Sequence, residues 1–440
     1  MNLIYGIKDK PKFGQMLLFA FQQVLAILAA TIVVPVIVGN GMSQSAALFG
    51  AGVGTLVYQL FTKFRSPVFL GSSFAFIPSM TAAFAGAASA SAGFAGIILG
   101  AALAGLVYVI IAIVVKLVGV KWINKLMPAV VIGPTVALIG LSLAGAAIKD
   151  VFSYGPQDAN GAYIMTAPIW ASLVCAIVTL MVVVIVSTYG KKMLKLIPFI
   201  VGILAGYAVA AVFTVCGIPV IDFSVFQNMQ VFAVPQFTFL EAMKGVQDID
   251  GAYIATVVVA YVPVAFVVFA EHIADHKNLS SIIGEDLLEN PGLHNTLLGD
   301  GVGSAVGAFF GGCPNTTYGE SVGCVAITRN ASVVTITTAA IMCIVISFFG
   351  PFVAFLDSIP GCVMGGVCVT LYGFIAVSGL KMIQKVDLNQ NKNLFVVATI
   401  LIPGIGGMAM AIGKVTITAI ACALILGIIT NVILSKGQEE

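Results

Sequence analysis

Apolar runs of about 18 or more residues recur from residue 14 to residue 435, each ended by a short polar joint, and nothing else in the chain limits its fold so strongly. A helix of that length crosses the hydrocarbon core of a bilayer. A chain of 440 residues that is 60% hydrophobic, with a mean hydropathy of +1.10, has too little polar surface to cover a water-soluble globule. The sequence therefore predicts an all-α polytopic membrane protein. Its spans fall at about 14–39, 43–62, 66–82, 91–118, 123–148, 166–188, 194–217, 251–276, 296–311, 312–328, 331–349, 351–379, 393–411 and 415–435, fourteen in all with no soluble domain left over. The first run is long and lacks a small-residue cleavage pattern, so it reads as a retained span rather than a signal peptide.

The placement of positive charge agrees with that count. With both termini on the cytoplasmic side, only Lys149, Lys244 and Lys414 fall in outward joints, so 17 of the 20 Lys and Arg obey the positive-inside rule. One span more or fewer would scramble the pattern downstream. The cytoplasmic set includes Lys121, Lys125, Lys192 and Lys436.

Two spans do not read as ordinary helices. "LGSSFAFIPSM" (70–80) and "GGCPNTTYGE" (311–320) break their apolar runs with glycine, proline and hydroxyl residues. Each predicts a short extended piece followed by a half-helix. They lie in the third and tenth spans, which correspond if the chain is a 7+7 inverted repeat, and paired interrupted spans point to a transport site at the membrane midplane. Gly303, Gly307 and Gly311 form a small-residue ladder that suits close helix packing rather than chemistry. "GDGVGSAVG" has no preceding strand and is not a dinucleotide loop.

Of the 18 Asp and Glu, most lie in joints and tails. Asp300 and Asp357 fall near expected span ends, where a carboxylate reaches interfacial water. Glu271, Asp275 and Glu320 remain inside, and the i, i+4 spacing of the first two puts them on one helix face. An ionised carboxylate near the bilayer centre costs on the order of 2.5–3.5 kcal/mol. Three of them imply protonation, pairing or a polar cavity, and the basic residues nearest in sequence, Lys277 and Arg329, sit at cytoplasmic ends. A polar substrate with N–H donors, together with a proton, would supply the missing partners. The eight cysteines carry no CxxC pairing and read as small buried hydrophobes. His272, His276 and His294 cluster toward one cytoplasmic end without metal-ligand or triad partners, so neither an enzyme nor a metal site is expected.

"AEHIADHKNLS" (270–280), "PGLHNTLLGDGVGSAVGAFFG" (291–311) and "PNTTYGESVGCVAITR" (314–329) resemble the nucleobase/ascorbate transporter family, in particular its bacterial uracil-transporting branch. "QQVLAILAATIVVPV" (22–36) and "LGSSFAFI" (70–77) resemble the same family, whose signature runs here from Glu320 through Gly323 to Thr328 and Arg329. The resemblance implies a core domain at 14–118 and 251–349, a gate domain at 119–217 and 350–435, a homodimer, and an elevator-like shift of core against gate. It further implies that Glu271 and Glu320 hydrogen-bond the nucleobase, that backbone around Phe74, Tyr318 and Gly319 supplies donors to its carbonyl oxygens, and that Gln23, Ser321 and Asn315 support the site. Uracil alternates N–H donors and C=O acceptors along one edge, which such a site complements.

Three residues depart from the uracil-transporting pattern. Asp275 stands where a histidine is familiar, Gln23 replaces a first-span histidine, and Ser321 sits where Asn is common. "NTTYGE" favours the pyrimidine branch, so uracil leads, with xanthine or uric acid as the alternative. Sulfate and bicarbonate transporters share the architecture, but Glu271 and Glu320 would repel an anion unless protonated. A neutral base gains nothing from the membrane potential, so its accumulation needs a co-transported cation. The expected cation is a proton carried by Glu271, Asp275 and Glu320, since desolvation favours an uncharged carboxyl. No other cofactor and no nucleic-acid partner is expected.

Overall fold

The computed structural model describes residues 3–119, 128–191, 194–195, 197–227, 229–412 and 415–436. Lys121, Lys125, Lys192 and Lys414, and the expected start of the fifth span, lie outside them. The first half of the chain forms helices α1 (Phe13–Val38), α2 (Gln44–Phe61), α3 (Ile77–Ala85), α4 (Ala90–Val118), α5 (Ala129–Ser142), α6 (Ala144–Val151), α7 (Ala167–Tyr189) and α8 (Pro198–Val215), with strand β1 (Leu70–Ser72) before α3. The second half forms α9 (Thr238–Gly245), α10 (Gly251–Ile283), α11 (Leu293–Gly311), α12 (Gly319–Thr328), α13 (Val333–Ile346), α14 (Gly350–Asp357), α15 (Gly361–Ile383), α16 (Asn391–Ile405) and α17 (Ala419–Lys436). Strand β2 (Asn315–Thr317) precedes α12, and β3 (Met410–Ile412) and β4 (Val415–Ile417) precede α17. Among the described residues, seven helical runs are long and apolar enough to cross a membrane, and four apolar helices are shorter.

Helix ends follow local chemistry. Ser43, Ser89 and Asp250 cap α2, α4 and α10 by accepting a backbone N–H from the first turn. The third and tenth apolar runs each hold a three-residue strand ahead of a helix, and β1 and β2 pair antiparallel with Gly71 opposite Thr316. That pairing satisfies backbone groups that would otherwise be buried alone. Gly71 is required there, because a Cβ would fall onto the Tyr318 ring.

The elements form two packed groups. In one, α11 lies against α2 and α4, α10 against α4, and α13 against α1 and α2. The glycine ladder makes the α2–α11 contact: a Cβ at Gly50 would meet the Gly307 carbonyl, and one at Gly311 the Ala46 carbonyl. In the other, α15 lies against α5, α6 and α7, and α16 against α5 and α17.

Several sequence boundaries are corrected. The loop expected from residue 277 begins only at Gly284, whose left-handed conformation ends α10. The helix continues because Leu279 and Ile283 are buried with Tyr58, Val68 and Leu70, so packing extends it beyond the apolar run. The run 351–379 is two helices, parted at Pro360, which has no N–H to give to a continuous helix. Between α16 and α17 lies an antiparallel hairpin, β3–β4, where a plain joint was expected. Seven of the eight cysteines are buried and only Cys216 is exposed.

Candidate functional site

A cavity of about 500 Å³ lies between the two helix groups, within the range of small-molecule sites, roughly 300–1,000 Å³. Glu271, Asp275 and Glu320 all line it, together with Ser73, Phe74, Thr316, Thr317, Tyr318 and Gly319. The opposite wall is mainly apolar: Ile132, Val136 and Ile139 of α5, Phe199 of α8, and Leu371, Phe374 and Ile375 of α15, with Ser378 its one hydroxyl among the described residues.

Each polar element reaches the cavity for a local reason. The i, i+4 spacing on α10 brings Glu271 and Asp275 to the same wall. Asp275 Oδ2 accepts a hydrogen bond from Thr317 Oγ1 at 2.8 Å, which ties α10 to β2. Glu320 stands in the first turn of α12, where a carboxylate favours the positive end of the helix dipole. Tyr318 precedes that helix in extended conformation with no side-chain cap. Its own N–H is taken by the Phe69 carbonyl at 3.2 Å. The N–H groups that open α12, from Gly319 on, have no intrahelical acceptor. The Tyr318 hydroxyl donates to the Ser72 carbonyl at 2.6 Å and so clamps the two strand-and-helix arms together.

The residues expected to support the site lie behind it. Gln23 Nε2 donates to the Ser321 carbonyl at 3.4 Å, and Ser321 Oγ accepts the Phe69 N–H at 3.0 Å. Asn315 is buried at the α2–α11 crossing and donates to the Gly50 carbonyl at 3.0 Å.

Two expectations change. Asp300 does not reach interfacial water: it is 0% exposed, and its Oδ2 lies 2.7 Å from His272 Nδ1. His272 and His276 are buried too, and His276 Nε2 lies 2.7 Å from the Tyr58 hydroxyl. Counting positions along the sequence misjudged their depth, because α10 runs on past the apolar stretch and α11 is enclosed by α2 and α4. Thr317 and Ser73 were missed as site residues. Only their place in the two interrupted runs could have marked them.

In fold, the chain is similar to the transmembrane domain of a cyanobacterium bicarbonate transporter BicA, with a TM-score of 0.66 and 16% identity over 97% of this chain and 100% of that one. It is likewise similar to the murine anion transporter Slc26a9 in the inward-facing state, with a TM-score of 0.67 and 13% identity over 98% and 69% of the two chains. In sequence it is 39% identical to the uracil permease of Bacillus caldolyticus over 435 residues, 98% of this chain and 94% of the relative. It is 36% identical to the uracil permease of Bacillus subtilis (strain 168), covering 99% and 96%, and 34% identical to that of Escherichia coli (strain K12), covering 96% and 92%. Residues 14–413 match the model of the permease family Xan_ur_permease. With that match and identity sustained over nearly its whole length, the chain belongs to this family, the nucleobase/ascorbate transporters: it is a multi-pass membrane permease, not an enzyme.

Proposed function

We propose that this permease imports uracil by proton symport. The base binds between the two helix groups, with Glu271 and Glu320 facing its N–H donors and the opening N–H groups of α12 facing a ring carbonyl. Phe74 closes one side. The observation that carries this reading is the meeting of three carboxylates and an uncapped helix N-terminus on one cavity with a mainly apolar far wall, joined to relatives that are named uracil permeases. A base with alternating donors and acceptors complements that wall. An anion, such as the fold neighbours move, would be repelled by Glu271, Asp275 and Glu320 at the cavity unless they were protonated. Xanthine or uric acid is the alternative within the family, and the relatives named uracil permeases favour uracil over it.

The group holding α1–α4 and α10–α13 acts as the core domain, 14–118 and 251–349. The group holding α5–α8 and α15–α17 acts as the gate, 119–217 and 350–435. The cavity between them suits an elevator-like movement in a fourteen-span, 7+7 inverted repeat with cytoplasmic termini, assembled as a homodimer. Labelled uracil uptake into proteoliposomes, challenged with unlabelled xanthine, uric acid, thymine and guanine, tests the substrate. Competition by xanthine stronger than by uracil itself would overturn it. Uptake driven by an inward proton gradient without sodium is expected, and uptake that needs sodium and ignores a protonophore would refute proton coupling. A cysteine at position 285, in a cysteine-free background, should resist an impermeant thiol reagent applied from outside.

A further inference from the structure

Behind the cavity wall, His272 is held at both ring nitrogens. Nδ1 lies 2.7 Å from Asp300 Oδ2, and Nε2 lies 2.9 Å from Thr296 Oγ1. The Thr296 hydroxyl donates its own proton to the Leu293 carbonyl at 3.0 Å, so toward His272 it can only accept. Nε2 therefore carries a hydrogen. The remaining contact, Nδ1 to Oδ2, then requires one more proton, on the nitrogen or on the oxygen.

We propose that His272 and Asp300 hold one proton between them and keep it throughout transport, a buried pair with no net charge that leaves Glu271, Asp275 and Glu320 as the groups that load and release protons. The inference rests on the proposed proton symport for its consequence, though not for its geometry. Moving the shared proton from Nδ1 to Oδ2 converts imidazolium and carboxylate into imidazole and carboxylic acid, with no change in charge. The other arrangement has Thr296 donating to Nε2 and an Nδ1–H facing an ionised Asp300. It would strip the Leu293 carbonyl of the Thr296 bond and leave a net negative pair whose Oδ1 has no partner, in a site where, among the described residues, no Lys or Arg pairs with it.

The titratable groups around the pair are few. Tyr108 of α4 packs edge-on against the His272 ring, with centroids 6.4 Å apart, and Tyr58 of α2 bonds His276. From α10 itself come Glu271, Asp275 and His276, the last stacked on His272 with its Nδ1–H donating to the His272 carbonyl at 2.9 Å. That bond puts a hydrogen on His276 Nδ1 and leaves Nε2 turned to the Tyr58 hydroxyl. Since His272 and His276 each follow a cavity carboxylate by one residue, the pair positions α10 from behind and acts on the site only through Glu271 and Asp275.

The test combines spectroscopy with the pH profile of uptake. Solid-state NMR of protein labelled with 15N-histidine, reconstituted in lipid, should show a protonated His272 Nε2 between about pH 5 and 9, with and without uracil, the signal being assigned by its loss in His272→Gln. In Asp300→Asn, whatever uptake survives should keep the wild-type pH midpoint and its proton dependence. An Nε2 that loses its proton in that range, or an Asp300→Asn midpoint moved by about one unit or more, would overturn the proposal. If Asp300→Asn yields no folded carrier, the NMR measurement on the wild type decides alone. Wild-type uptake that ignores the proton gradient would instead refute the symport reading and leave the shared proton to the NMR result.

Discussion

The two strand-and-helix arms that meet at the cavity, β1–α3 and β2–α12, share a backbone plan but not a chemistry. Each is a three-residue strand followed by a short helix, and the strands pair residue for residue across the middle. The first arm brings Ser73, Phe74 and Ala75 to the cavity and no ionisable group, and the Phe74 ring leans edge-on toward Tyr372 of α15 at 6.5 Å. The second brings Thr316, Thr317, Tyr318, Gly319 and Glu320, and Thr317 reaches Asp275 on α10. The backbone plan thus supplies two helix starts at one place, while the side chains differ: the first arm offers Ser73 and the Phe74 ring, and the second offers Thr316, Thr317 and Glu320 with a link to Asp275 of α10, so under the proposed function the second arm reads the polar atoms of the base. Breaking the second arm should therefore abolish recognition, whereas altering the first should only weaken it.

The largest effect should come from the carboxylates. Glu320→Gln and Glu271→Ala should each leave the protein in the membrane and remove detectable uptake, since losing a charge-assisted hydrogen bond to a buried ligand costs about 1.5–3 kcal/mol, ten- to a hundredfold in affinity. Uptake within twofold of wild type in either variant would place the polar readout elsewhere.

Next comes the joint between the arms. Gly71→Val puts a branched side chain onto the Tyr318 ring, and overpacking of this kind costs about 1–3 kcal/mol. Gly319→Ala is the matched control on the second arm, because the nearest atom to its Cβ would be Asp275 Oδ1 at 3.8 Å. Thermal unfolding in detergent should fall for the first and stay near wild type for the second, while uptake should suffer in both. A stable Gly71→Val carrier would mean that the β1–β2 clamp is dispensable.

How much of this was readable from sequence follows the same division. Glu271, Asp275 and Glu320 stood out because a charge inside an apolar run is expensive and therefore informative. The opposite wall did not, since Phe199, Leu371 and Ile132 are the same residue types that face lipid, and nothing local separates the two uses. Thr317 was hidden because threonine is common near broken helices and its partner lies 42 positions away. Asp300 was sorted by its distance along the chain from a span end, when what buries it is lateral: α2 and α4 close over α11. The two strand-and-helix arms lie where Gly, Ser and Pro break the apolar runs, yet strands β3 and β4, inside and beside apolar runs, carried too weak a signal.

Asp275→Asn sharpens the link between the second arm and coupling. The amide keeps an oxygen for Thr317 to donate to but cannot take up and release a proton, so uracil binding measured at equilibrium should stay within about threefold of wild type, a difference of less than 1 kcal/mol. Accumulation driven by a proton gradient should fall much further. Equal losses in both would make Asp275 a substrate contact rather than a proton carrier.

The smallest effect is expected on the first arm, and it decides whether the asymmetry between the arms holds. Phe74 lines the cavity with an aromatic side chain that has no hydrogen-bonding group, so its expected contribution to a bound flat base is that of an aromatic contact, about 0.5–1.5 kcal/mol beyond area burial, or roughly two- to tenfold in affinity. Phe74→Leu keeps the bulk that fills the space beside Tyr372 and should sit at the mild end, while Phe74→Ala opens that space and should sit at the severe end. Neither should alter the proton dependence, because no titratable group on this arm faces the cavity. Isothermal titration of purified variants with uracil gives the affinities, and uptake at two external pH values gives the coupling. If Phe74→Leu lost binding as completely as Glu320→Gln, the first arm would be reading the base through its backbone with geometry that only phenylalanine maintains, and the two arms would share recognition rather than divide it.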